Sequence, residues 1–388
     1  MSQRLHRVSV SGTGSFLPND PVPNDRIDEV LGPLDDAPPR VRSFIKKVGR
    51  RMLEGTGVER RHFAVDPKTR ELTHTSAALA EEAARRALDA AEMRPGDVEF
   101  LALSCPIPDA MTPPTSVILQ ERLGIEHCAE MEIHSNCSGM GKSIQVAFDA
   151  LRLGRYKTAL IVYPQLSSVY LRSCFYNQAK VTRTQAALRY ILADGSGALV
   201  LQSVDGDPSG DGDAPDGGDA NAPVPHELLG TYVESVGGQL PPAMTAGGAA
   251  ADVMDSVSPL LAIHERGTHH LDQDFAAVKR DAGRRLFEGI KRMVESLGVD
   301  PKTVAHIVAS IPSKQLYEEN VGLFTDHFDI DREQIKFRAG TTGYTGGAAI
   351  LIHFDQMVRA CEIQRGDIVL LHSVESSKWM SGGFAVRW

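Results

Sequence analysis

One pattern occurs twice in this chain of 388 residues: strand, apolar–proline turn, helix, small-residue turn, long helix, strand. In the first copy, EFLALSCPIP (99–108) is followed by NCSGMGKSIQVAFDALRLGRYKTALIVYP (136–164). In the second, AHIVASIPSK (305–314) is followed by GYTGGAAILIHFDQMVRACEIQRGDIVLLHS (343–373). Corresponding elements lie roughly two hundred residues apart, too far for a solenoid and suited to a duplicated domain. The apolar runs at 99–104, 158–163, 305–311 and 367–372 have strand length. Runs apolar on both faces suit a central sheet covered by helices, so the fold class is α/β. The stretch 75–91 is rich in helix formers, with Thr75 or Ser76 as its cap.

The expected divisions are an N-terminal half at 1–203, a linker at 204–225 and a C-terminal half at 226–388. The linker is nearly all Gly, Asp, Pro, Ala and Asn and offers no apolar face. A net charge of −9 argues against nonspecific nucleic-acid binding. No stretch has the apolar length of a membrane span or a signal peptide. Five cysteines without a CxxC pair fit free thiols in a reducing compartment, and the expected location is cytoplasmic.

Cys137 stands out among those cysteines. A strand-like run ends at a turn of small residues in MEIHSNCSGM (131–140), and a helix follows with Ile144, Ala147, Phe148 and Leu151 on one face. A sulfur just before a helix start is favoured as a thiolate by the macrodipole and free N–H groups. Gly139 and Gly141 permit tight turning and close backbone approach. Two readings stay open on these residues alone: a nucleophile raised on an elbow, or a buried structural cysteine.

GTGVERR (55–61), NCSG around Cys137, ADGSGALVL (193–201), SIPSKQ (310–315), GYTGGAA (343–349) and the C-terminal GDIVLL and FAVRW resemble the β-ketoacyl-acyl-carrier-protein synthase III family of the thiolase superfamily. The resemblance spans almost the whole chain. It implies a thiolase fold, with two duplicated halves forming a five-layered αβαβα sandwich, and a homodimer. It also implies that Cys137 takes an acyl group from a CoA or carrier-protein thioester. No metal and no resident cofactor are expected, since the donor carries its own phosphopantetheine.

The sequence departs from that family at two places. Ser313 stands where a His is usual, and Tyr344 where an Asn is usual. Those family residues stabilise the enolate formed on decarboxylation, and neither Ser nor Tyr supplies an imidazole. The expected activity is therefore acyl transfer through Cys137 to a hydroxyl or amine of a natural-product acceptor. The alternatives are a decarboxylative ketoacyl synthase and a non-catalytic synthase-like partner subunit. Transfer to oxygen or nitrogen needs a base. The candidates are His134 and Glu375, the latter with a pKa raised by burial; the histidines 264, 269 and 270 read as surface residues. Met111, Gly346 and Ser376 are expected substrate contacts, Met111 as a wall of the neighbouring subunit's pocket. The family's Trp and Arg at the CoA mouth are missing near Arg51 and Gly55. That favours an acidic carrier protein, docked by Arg50, Arg51, Lys279 and Arg280.

Overall fold

In the computed structural model the described residues are 5–204, 224–249, 252 and 259–388, without the side chains of 48–52 and 259. Most of the expected 204–225 linker lies outside the described residues. The first half supplies strands β1 (Val8–Phe16), β2 (Phe100–Cys105), β3 (Ala129–His134), β4 (Thr158–Leu166) and β5 (Asp194–Ser203). The second supplies β6 (Glu227–Ser235), β7 (Val304–Ala309), β8 (Ile368–Glu375) and β9 (Met380–Arg387).

These nine strands form one sheet in the order β7-β8-β9-β6-β1-β5-β4-β2-β3. The pairing is antiparallel from β4 through β5 and β1, and parallel among β4, β2 and β3. The second half repeats it: β6, β9 and β8 pair antiparallel, and β8 and β7 parallel. The halves meet where Ser9 pairs with Glu227. The duplication read from sequence is thus a duplication of topology.

Helices complete the layers. Those used below are α1 (Pro39–Thr56), α2 (Ser76–Ala90), α3 (Thr115–Leu123), α4 (Gly139–Arg152), α5 (Arg183–Leu188), α6 (Phe275–Leu297), α7 (Lys314–Phe328) and α8 (Ala348–Arg359). Thr75 caps α2, its side chain accepting from the Ala78 amide. The face of α2 against β1, β5 and β4 is mostly alanine, which lets it approach Gly12 and Gly14 of β1 closely. In the second half α6 covers β6, β8 and β9. Between the two curved half-sheets lie α4 and α8. α8 is apolar on nearly every side, as a helix buried in a middle layer has to be. Ile144 and Phe148 of α4 and Ile350 and Phe354 of α8 share one core with Ile161 and Leu199 of the first half and Leu371 and Phe384 of the second.

No helix among the described residues is long and apolar enough to cross a membrane. The close crossing of α4 over β9 positions everything that follows. A Cβ added at Gly141 would lie 2.5 Å from the Gly382 carbonyl carbon and 2.7 Å from the Gly383 nitrogen. Both obstacles are backbone and cannot swing away. Gly141→Ala is expected to destabilise the protein by about 2 kcal/mol, read as a lowered midpoint in chemical denaturation. An unchanged midpoint would show that the crossing is looser than described.

Candidate active site

The strand β3 ends at His134, α4 begins at Gly139, and Cys137 stands in the turn between them. The Gly139 amide donates to the Asn136 carbonyl at 2.8 Å and closes the turn. A side chain at Gly139 would strike Ser104 Oγ at 2.1 Å. The turn therefore sits tight against β2, and Cys137, half-buried, faces a cavity.

Its neighbours come from the other half of the fold. Cys137 Sγ lies 3.4 Å from Tyr344 Oη. Tyr344 follows Gly343, whose φ of +75° suits glycine, and its carbonyl accepts from the Ala193 amide at 2.9 Å. Ser310, just beyond β7, donates to Tyr344 Oη at 3.2 Å and also reaches the Gly346 carbonyl at 3.2 Å. Between Tyr344 Oη and Cys137 Sγ either atom can donate while the sulfur is a thiol; once the sulfur is anionic the phenol is the donor. Burial, and then the nearby Cys137, hold the Tyr344 phenol well above its ordinary value. It remains a donor at physiological pH.

Burial pushes the Cys137 thiol up to about 12. The Tyr344 hydrogen bond opposes that shift and the Glu375 charge reinforces it. The sulfur rests as a thiol, contrary to the thiolate expected from its place before a helix. Burial is the first reason. In the turn, the Ser138 amide at the helix start is bonded to a carboxylate, donating to Glu375 Oε2 at 3.1 Å.

Glu375 also differs from expectation. It is buried at the end of β8, and its carboxylate accepts from Ser138 Oγ at 2.6 Å, Ser135 Oγ at 2.8 Å and the Ser377 hydroxyl. Burial alone would raise its pKa. The donors Ser138, Ser377 and Ser135 and the Lys142 charge outweigh burial and hold it below the usual carboxylate range. Neighbouring Val374 and Ser376 line the cavity; Glu375 does not. It is an acceptor that fixes the turn, and a carboxylate so well satisfied makes a poor base.

The cavity has a volume of about 710 Å³, within the range of small-molecule sites. Its apolar wall includes Phe44, Tyr170, Leu192, Leu271, Phe275 and Leu316, and its polar groups include Gln165, Arg183, Gln273 and Gln315. Of the residues expected at the site, Gly346, Ser376, Ser313, Tyr344 and Lys279 all line it with Cys137. Ser313 Oγ, however, caps α7 by accepting from the Leu316 amide at 3.2 Å. Lys279 stands at the rim, 3.8 Å from Glu319. Arg280 is exposed and pairs with Asp281 at 2.8 Å. His134 is exposed at the end of β3 in this single chain and is not among the residues that line the cavity. Met111 is 95% exposed in this single chain. Arg50 and Arg51 fall in α1, and their side chains lie outside the described residues.

Sequence reasoning missed Ser310. It opens the SIPSKQ motif, but nothing local says that its hydroxyl meets Tyr344. It also misjudged His269 and His270, whereas His264 is exposed as expected. His270 is buried, donates from Nδ1 to Gln185 Oε1 at 3.1 Å and accepts the Asn177 amide on Nε2 at 3.0 Å. His269 Nε2 reaches the Phe175 carbonyl at 2.8 Å. Together they tie the segment before α5 to the segment that brings Leu271, Gln273 and Phe275 into the cavity wall.

No family model matches the chain. It is 27% identical over 387 residues to the β-ketoacyl-[acyl-carrier-protein] synthase III of Bradyrhizobium sp. strain BTAi1, covering 98% of this chain and 99% of that protein. Among solved structures, the priming β-ketosynthase of the R1128 polyketide pathway superposes with a TM-score of 0.74 at 19% identity, covering 100% of this chain and 98% of that one. AbyA1, a tetronic acid condensing enzyme, gives a TM-score of 0.71 at 23% identity, covering 98% and 100%. The resemblance to the synthase III family and the thiolase fold expected from it are borne out.

Two outcomes follow for the sulfur. Alkylation of Cys137, followed by peptide mass mapping, should rise about tenfold per pH unit from pH 7 to 10 without a plateau. A plateau near pH 8.5 would mean an ordinary thiol. Tyr344→Phe removes a donor to the anionic sulfur and should slow alkylation at pH 9 by about tenfold; an unchanged rate would show that the phenol does not assist the sulfur.

Proposed function

We propose that this thiolase-fold relative of the synthase III proteins is an acyltransferase. It takes an acyl group from a carrier-protein or CoA thioester onto Cys137 and passes it to a hydroxyl or amine. The observation that carries the reading is the set of groups around the sulfur. Cys137 faces a cavity with the Tyr344 hydroxyl at 3.4 Å, and no histidine among the described residues lines that cavity. A thioester can be loaded there, while the paired donors that suit an enolate are replaced by one phenol and a serine committed to a helix cap.

The steps balance within these groups. Cys137 sulfur attacks the donor carbonyl carbon, the bond from that carbon to the donor sulfur breaks, and the Cys137 proton leaves with the donor thiol. Tyr344, held by Ser310, donates to the anionic charge as it develops. The acceptor oxygen or nitrogen then attacks the acyl-Cys137 carbonyl, and its proton returns to Cys137 sulfur. The thiol resting state fits this exchange, because sulfur releases its proton only when a donor able to receive it is present. Burial in a mostly apolar cavity keeps water from the thioester.

The carrier reading rests on the relatives, which are named for acyl-carrier protein, on Lys279 in the cavity lining and on the exposed Arg280 beside it in sequence. The exposed Met111 suits a homodimer in which that loop closes the neighbouring subunit's cavity. A decarboxylative synthase is the second reading, favoured by the names of the relatives.

Single-turnover product analysis separates the two. Protein preloaded with an acyl group should yield an ester or amide when offered a panel of alcohols and amines. With malonyl thioester it should release no carbon dioxide above the Cys137→Ala background. Carbon dioxide together with a ketoacyl product would establish the condensing reading instead.

A further inference from the structure

Behind the nucleophile turn lies a buried relay that the transfer chemistry does not use. Lys142 Nζ on α4 donates to Ser135 Oγ at 2.8 Å, and Ser135 Oγ donates to Glu375 Oε2 at 2.8 Å. The same carboxylate oxygen accepts the Ser138 amide and the Ser138 hydroxyl. Its other oxygen accepts from Ser377. One carboxylate from the second half is thus wired to three residues of the turn and first helical turn around Cys137.

A free amide at a helix start is where an anionic sulfur would gain most. Here that place is taken. The Gly139 amide is closed onto Asn136, and the Ser138 amide belongs to Glu375. The titratable groups packed around the pair are Tyr344, Tyr163 on β4, Cys105 on β2 and Lys142 on α4. Burial keeps both phenols and the Cys105 thiol protonated, so Glu375 and Lys142 carry the charge.

We propose that Glu375 is a positioning residue: an internal anion seated at the helix start, which holds the turn and occupies the Ser138 amide that an anionic sulfur would otherwise use. This deepens the acyl-transfer reading and rests on it for its purpose, but the restraint itself exists whether or not any acyl group is loaded. Lys142, relayed through Ser135, sets how much of the Glu375 charge the sulfur meets. The turn thereby trades standing reactivity for a nucleophile protected from adventitious alkylation and oxidation.

Ionisation is read by the thiolate absorbance near 240 nm during a pH titration, each protein differenced against its own Cys137→Ala twin. That signal needs no substrate, so it stands or falls separately from acyl transfer. Glu375→Gln keeps the shape of the side chain and should lower the Cys137 midpoint by about one pH unit. Glu375→Asp should restore it part-way. Lys142→Met leaves the carboxylate less neutralised and should slow alkylation of Cys137 several-fold at pH 8, where an ammonium still carries its charge, and it serves as the independent variant if Glu375→Gln does not fold. A folded Glu375→Gln protein whose midpoint is unchanged or higher overturns the proposal. So does a Lys142→Met protein alkylated at pH 8 as fast as the unaltered protein or faster.

Discussion

The polar groups that reach Cys137 from across the molecule all come from the other copy of the duplicated unit. Tyr344 touches the sulfur, Ser310 orients Tyr344, and Glu375 holds the amide that follows. None of this assembles unless the two halves approach closely, and one close approach is backbone on backbone, Gly141 of α4 against Gly382 and Gly383 of β9. The site depends on that crossing. A duplicated fold gives the chain two similar faces, and their meeting supplies chemistry that neither half holds alone.

Burial then decides the state of the sulfur. A helix start favours an anion, by up to ~2 kcal/mol in partly buried settings. Desolvation works against it, and so does a carboxylate already bonded to the turn. The balance leaves a thiol, pushed up to about 12. Such a nucleophile is quiet at rest, and its reactivity is tied to a donor that can accept its proton. The phenol at 3.4 Å remains protonated for the same reason, burial, and so is available when charge appears on sulfur or on a tetrahedral oxygen.

Much of the scaffold was legible in the sequence because it is written in local periodicity. The apolar run at 158–163 became β4, and the alanine-rich stretch at 75–91 became α2 with Thr75 as its cap. Cys137 could be placed before a helix because small residues on one side and an apolar helical face on the other mark the turn. The site's electrostatics were not legible. The bond from Ser138 to Glu375 joins residues 237 apart, and no local pattern announces it. Reading Glu375 as a base assumed burial without donors. The fold supplies donors from Ser135, Ser138 and Ser377, and they reverse the direction of its shift. Ser313 was weighed for chemistry by its position, whereas its hydroxyl is spent on a helix end. His270 looked like a surface residue because a single histidine in a polar segment carries no signal of its partners.

The central claim is that one sulfur carries the acyl group inside this cavity. A crystal structure of the protein after exposure to an acyl thioester tests it most directly. The account predicts density continuous with Cys137 Sγ, the acyl chain lying along Leu192 and Phe275, and a carbonyl or tetrahedral oxygen within reach of Tyr344 Oη. An unmodified sulfur beside an acyl group bonded elsewhere, or a cavity closed over Cys137 so that no chain can enter, would contradict it.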